Sequence, residues 1–155
     1  MNQIRLFRSI AILLATVAKL SHVECKKKDG SCIKGSCVNS IGTWMWPTHD
    51  VYTGQFNKAG YRHGAGIFRW NKTQDVYEGS FKNGLPDGAG VYVWGTNAQR
   101  YVGQFSLGRK HGLGVFRAVD FGEIYEGQFE NGLFSGLGRL TFDNGTLVEG
   151  EFKFG

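Results

Sequence analysis

At 155 residues the chain has room for one compact domain or one short repeat array. Lys and Arg number 18 against 13 Asp and Glu, a formal net charge of +5, but the excess sits early: seven against three in residues 1–50, eleven against ten in residues 51–155. So neutral a body lacks the domain-wide basic surface of a nucleic-acid binder, which excludes that partner class, and the run Lys26, Lys27, Lys28 reads as a solvated flank.

Residues 1–18 have the pattern of an export signal, with Arg5 and Arg8 ahead of the apolar run Ile10–Ala18 and small residues for cleavage near Ala18. A helix of that run rises only about 14 Å, under half of a hydrocarbon core, so a signal peptide is expected over an uncleaved short membrane anchor. Either places the protein outside the cytosol: secreted, periplasmic or membrane-associated on the far side. Residues 19–28 read as a linker. Cys25, Cys32 and Cys37 all follow closely, where an exported chain meets oxidising conditions. A lipid anchor on Cys25 is disfavoured because His22, Val23 and Glu24 are not the small residues of such a processing site.

From residue 52 the chain repeats itself. YTGQF at 52, YEGSF at 77, YVGQF at 101, YEGQF at 125 and VEGEF at 148 are spaced by 25, 24, 24 and 23 residues. The first four are each followed by a lone glycine (60, 84, 108, 132) and then by Gly-x-Gly at 64, 88, 112 and 136. Within each unit the period is 2, so two strands are expected: Tyr77, Gly79 and Phe81 face one way and Glu78, Ser80 and Lys82 the other, then Gly88, Gly90, Tyr92 and Trp94 share a face. Asn83-Gly84 and Asn131-Gly132 suit the positive backbone angles of a tight turn, which makes each repeat one hairpin. Glycine inside a strand offers nothing to pack. Gly54, Gly79, Gly103 and Gly127 in the first strands, and Gly66, Gly90, Gly114 and Gly138 in the second, are therefore expected to make space for large rings lying across a neighbouring hairpin.

The pattern Tyr-x-Gly-x-Phe, Gly, His-Gly-x-Gly and a following aromatic strand resembles the MORN repeat, the membrane occupation and recognition nexus. Four full copies (52–76, 77–100, 101–124, 125–147) and a half copy (148–155) cover about two-thirds of the chain. The resemblance implies an all-β protein, an elongated, twisted, single-layer antiparallel sheet of tandem hairpins with a groove on its aromatic side. It also implies scaffolding, protein binding or dimerisation, with anionic-lipid binding proposed for some members.

Residues 29–51 hold a degenerate unit: DGSCIKG at 29 parallels EGSFKNG at 78, and IGTWMWP at 41 parallels AGVYVWG at 89. Cys32 takes the Phe slot and Cys37 falls across the Gly35 turn, so a Cys32 to Cys37 disulfide would staple a capping hairpin. Free thiols and a zinc site remain the rival readings, the latter disfavoured by the cysteine spacing. Cys25 is left odd.

No catalytic residue, metal or cofactor is expected. His63 and His111 occupy the slot of Asp87 and Ser135 and read as turn-stabilising groups. Glu78, Glu126 and Glu149 recur on an outward face, where nothing desolvates a carboxyl. Ser80, Ser106 and Ser135 stand in no nucleophile motif, and the Gly-x-Gly pairs lack the Lys-Ser/Thr of a phosphate loop. What remains is an aromatic binding face formed by Tyr52, Phe56, Trp70, Tyr77, Phe81, Trp94, Tyr101, Phe105, Tyr125 and Phe129. Its expected occupant is another protein or a second copy of the chain, aided by an open C-terminal strand edge; attachment to anionic phospholipid is the alternative. Asn71-Lys-Thr73 and Asn144-Gly-Thr146 fit the glycosylation acceptor pattern.

Overall fold

Strictly local pairing builds this sheet. The computed structural model describes residues 30–119 and 122–153, so the signal segment, the linker and Cys25 lie outside the described residues. The strands are β1 (Ser31–Gly35), β2 (Ile41–Met45), β3 (Val51–Phe56), β4 (Arg62–Arg69), β5 (Val76–Lys82), β6 (Leu85–Val93), β7 (Arg100–Ser106), β8 (Arg109–Ala118), β9 (Glu123–Glu130), β10 (Leu133–Thr141) and β11 (Leu147–Phe152). They form one open 11-stranded sheet in which every strand lies beside its neighbour in sequence.

The register converts the sequence repeat into rows running across the strands. Gly42, Gly54, Gly66, Gly79, Gly90 and Gly103 pair in succession, and the row continues through Gly114, Gly127 and Gly138 to Gly150. Beside it runs a ladder of large rings: Trp44, Tyr52, Phe68, Tyr77, Tyr92, Tyr101, Phe116 and Tyr125 are paired strand to strand. A second residue class thus sits on bare backbone, and this is how a sheet with no second layer among the described residues obtains a core.

Each tyrosine of a first strand lies flat over glycine. A Cβ placed on Gly103 would come within 2.6 Å of the Tyr101 ring and of the Gly114 Cα. The same clash recurs at Gly79 and Gly90 under Tyr77, and at Gly127 and Gly138 under Tyr125. The rings therefore cover the glycines of their own hairpin, which corrects the expectation that they would cross a neighbour's. Side chains in a strand lean along it, so residue i reaches the glycine at i+2 and that glycine's cross-strand partner. Contact between hairpins passes instead through phenylalanine. Tyr52, Tyr77, Tyr101 and Tyr125 meet Phe81, Phe105, Phe129 and Phe152 of the next unit edge-on, at 5.0, 4.9, 4.9 and 5.0 Å between ring centroids.

The hydroxyls are also used. Tyr52, Tyr77, Tyr101 and Tyr125 donate to the carbonyls of Gln55, Ser80, Gln104 and Gln128 at 2.9, 2.9, 2.9 and 3.0 Å. Those carbonyls lie where the hairpin register slips, between Gly54 and Phe56 in the first repeat and between Gly79 and Phe81 in the second. The phenol replaces the ladder bond that the bulge removes.

Tight turns follow the sequence signal at Asn83-Gly84 (φ 50° and 91°) and Asn131-Gly132 (53° and 94°). Leu107-Gly108 adopts the same conformation, φ 50° and 80°, without the asparagine. Its strained leucine is held by a bond from the Leu107 amide to Asp87 Oδ2 at 3.3 Å. Upstream, β1 and β2 form the irregular first hairpin, in which Cys32 and Cys37 are joined by a disulfide. Cys37 is buried, and its Sγ lies 2.8 Å from the position of a Cβ on Gly42.

Replacing Gly103 by Val forces the Tyr101 ring off its seat and should cost about 3 kcal/mol, whereas Glu126→Val, on the exposed face, should change stability by about 0.5 kcal/mol or less. Urea unfolding measures both, and equal midpoints reject the packing described here.

Burial raises the tyrosine pKa values, that of Tyr52 to about 12 against an opposing pull from Arg62, and that of Tyr101 to about 12. Tyr77 and Tyr92 are also pushed up, mainly by burial, with help from Asp87 and Asp75 respectively. A folded value above the unfolded 10.0 means that the stabilisation is complete below pH 10 and is lost as pH rises through about 12. Thermal melts should therefore stay level up to pH 10 and fall steeply beyond it. In a Tyr61→Phe background, which removes the one exposed tyrosine among the described residues, tyrosinate absorbance appearing near pH 10 with no loss of melting temperature would contradict the buried-tyrosine core.

Candidate functional site

Two classes of ring share the aromatic face, and only one is accessible. Of the ten residues expected to form the binding face, eight are core: Tyr52, Tyr77, Tyr101 and Tyr125 are 0% exposed, and Phe56, Phe81, Phe105 and Phe129 no more than 6%. These eight cannot present ring surface to a partner, because their own glycines and the next hairpin already cover them. Trp70 and Trp94 remain half-buried, packed against that core with Trp44, Trp46, Tyr92, Phe116 and Phe134.

The half-buried rings, joined through the buried Phe68, form a continuous ribbon across the repeats. Trp44 meets Trp46 at 6.3 Å, Trp46 meets Phe68 at 5.2 Å, and Phe68 meets Trp70 at 4.3 Å. The chain continues from Trp70 to Tyr92 at 5.4 Å, Tyr92 to Trp94 at 4.4 Å, Trp94 to Phe116 at 5.7 Å and Phe116 to Phe134 at 6.3 Å. Over the first two repeats it floors an open groove of about 520 Å³ lined by Trp46, Arg62, Phe68, Trp70, Pro86 and Tyr92, among others.

Two cations lie on this ribbon, and the sequence reading passed over both. The Arg62 guanidinium carbon sits 4.7 Å from the Phe68 centroid, 5.4 Å from Trp46 and 5.7 Å from Phe81, and its Nη2 donates to the Gly84 carbonyl. The Lys110 ammonium sits 4.5 Å from Phe116, 5.2 Å from Phe129, 5.7 Å from Tyr101 and 5.8 Å from Trp94. Burial holds both below their ordinary pKa values, offset at Arg62 by Tyr52. Among the described residues neither is ion-paired, since the two salt bridges are Arg139 to Glu149 and Lys153 to Glu151. The signal that could have found them is the repeat itself: in the slot before His63 and His111 the sister units carry Pro86 and Phe134, so a cation there is an exception on an apolar face.

The carboxylates nearest the groove are tied to loops. Asp50 accepts from Thr48 Oγ1 at 2.7 Å and from the Asn71 amide at 2.8 Å. Asp75 accepts from the Tyr92 hydroxyl at 2.7 Å and the Gly95 amide at 2.9 Å. His63 and His111 are exposed within β4 and β8, each beside a positive-φ glycine at the bulge, and not in turns as expected. The inserted bulge residue moves that slot into the strand; only Asp87 in this slot braces a turn. Among the described residues no three His, Cys, Asp or Glu side chains cluster as metal ligands would.

A comparison with protein families matches the MORN repeat at residues 52–72, 77–99, 101–122 and 125–147, together more than half of the chain. A search of curated proteins finds no match.

Proposed function

Because the chain belongs to the MORN repeat family, we propose that it is an exported, non-catalytic interaction module that receives another protein along its aromatic ribbon. The observation that carries this reading is the unbroken sequence of ring contacts from Trp44 to Phe134, half-buried except at Phe68 and without a covering layer among the described residues. A contiguous apolar strip bordered by polar loops is the kind of surface that proteins use to dock. The non-catalytic reading is supported by the setting of the candidate groups: His63, His111, Glu78 and Glu126 are all exposed to water and lie outside the ring-lined groove. Export is supported by the apolar run Ile10–Ala18 and by the disulfide, a bond that persists under oxidising conditions.

The test compares the two faces of the sheet in the full chain. Trp70→Ala with Trp94→Ala should abolish capture of the native partner, while Leu113→Ser with Leu137→Ser, exposed side chains outside the ribbon, should not. Loss from both pairs alike, or from neither, rejects the ribbon. Flotation with phosphatidylserine vesicles that disappears at raised salt would favour lipid attachment instead. Intact mass of the chain made in cells should fall short by about the first 18 residues; an unprocessed cytosolic product would overturn export.

A further inference from the structure

Lys110 is out of place. Its slot is filled by proline in the second repeat and phenylalanine in the fourth, both of which suit a ring-lined surface. A lysine there takes an ammonium out of bulk water, which is costly unless the charge finds a partner. Four ring faces supply part of that compensation, on the order of 0.5–2 kcal/mol each where they are well placed. They offer no lone pair. An ammonium has three N–H donors, and no acceptor for them is found among the described residues, although the nitrogen is not sealed from solvent. Arg62 differs in degree: one N–H group is spent on the Gly84 carbonyl, and the rest of the fork is not ion-paired.

The neighbouring acids do not supply the missing partner. Asp50, which lines the groove with Arg62, and Asp75 are held by backbone amides and hydroxyls at the loops, and neither is ion-paired to Arg62 or Lys110. The ribbon therefore presents apolar rings with two positive charges set into them and no free carboxylate paired to either. Arg62 opens β4 and Lys110 lies in β8, four strands further along the sheet. At about 4.8 Å per strand this separates them by roughly 19 Å. An extended peptide crossing the strands covers that span in about six residues.

We infer that the ribbon selects an acidic, extended segment of a protein partner, with one carboxylate on Lys110, a second on Arg62 and apolar side chains on the rings between them. The inference rests on the ribbon being a protein-binding surface. Charge complementarity chooses this occupant over a membrane. Two cations recessed among rings and far apart suit two separate carboxylates, whereas a lipid surface is held by clustered, projecting basic residues, each adding about 1 kcal/mol. The array as a whole has no such excess.

A display library of random 12-residue peptides, selected on the full chain, tests this. Peptides enriched on the wild type should carry Asp or Glu with aromatic or aliphatic residues. For the best of them, changing its acids to Gln one at a time should weaken binding about tenfold or more for the one that sits on Lys110, the loss expected for a hydrogen bond to a charged group. Lys110→Met should weaken the acidic peptide to the same extent, yet bind the Gln peptide as the wild type does. The peptide change leaves the protein untouched, so the result does not depend on a variant folding. Lys110→Met should also melt no lower than the wild type, since Met keeps the apolar stem, while Arg62→Met should melt lower because it loses the bond to Gly84. Enrichment of apolar peptides without acids overturns the charge inference and leaves the ribbon standing. No enrichment at all overturns both. Phosphatidylserine vesicles bound by the wild type but not by Lys110→Met, with no acidic peptide enriched, would reassign the cation to lipid.

Discussion

Everything in this sheet depends on a tyrosine ring lying across two glycines paired from adjacent strands. The contact joins three needs. It buries a large apolar surface where the described residues provide no second layer, since a ring of this size removes roughly 150–250 Å² from water. It places the phenol where a bulge has left a carbonyl without its ladder partner. It also brings the ring edge against the phenylalanine of the next hairpin, so that local packing and coupling between repeats are one interaction. Where the tyrosine is missing the arrangement lapses: Val148 stands in its place in the last strand, and nothing lies within 4 Å of a Cβ on Gly150.

That economy leaves a surplus. Tyrosine and the first-strand phenylalanine complete the core, so the rings that follow each Gly-x-Gly, Phe68, Tyr92 and Phe116, and the tryptophans after them, are not all needed inside. Phe68 is buried, at 5% exposure, but Trp70, Tyr92, Trp94 and Phe116 keep an open flank. The rings are divided into a buried row and a half-open row a few ångströms apart, and substitutions in one row need not disturb the other. A repeat array is coupled mainly to nearest neighbours, which extends this independence along the sheet.

The strands, their pairing and the asparagine-glycine turns were legible because each follows from a local rule: period 2, glycine tolerance and positive φ. The first hairpin was legible because Cys32 and Trp44 fall into slots defined by later repeats. The target of each tyrosine was not. It depends on the bulge and on the lean of the side chain, neither of which alters the spacing of residues. The division of the aromatic face into core and ribbon was hidden for the same reason, since both rows alternate identically with outward residues and only the depth of packing separates them. Leu107-Gly108 turns like an asparagine pair because Asp87, twenty residues earlier, holds its amide, a bond between repeats that no local pattern announces.

Repetition determines the shape, and individuality enters where a slot departs from its sisters. The position before the bulge reads Arg62, Pro86, Lys110, Phe134, and the fourth position of the Tyr-x-Gly-x-Phe motif reads Gln55, Ser80, Gln104, Gln128. In the second case the departure is absorbed by the backbone: Gly64, Gly112 and Gly136 sit at φ 61–62° against a glutamine, while Gly88, facing Ser80, opens to 101°. In the first case the backbone does not compensate, because a charge among rings is a chemical difference and not a steric one. An array that only had to stand would gain nothing from alternating cations with apolar residues on its ring-lined face. The slots that the fold can fill with proline or phenylalanine, and that this chain fills with arginine and lysine, are where our proposal places its choice of partner.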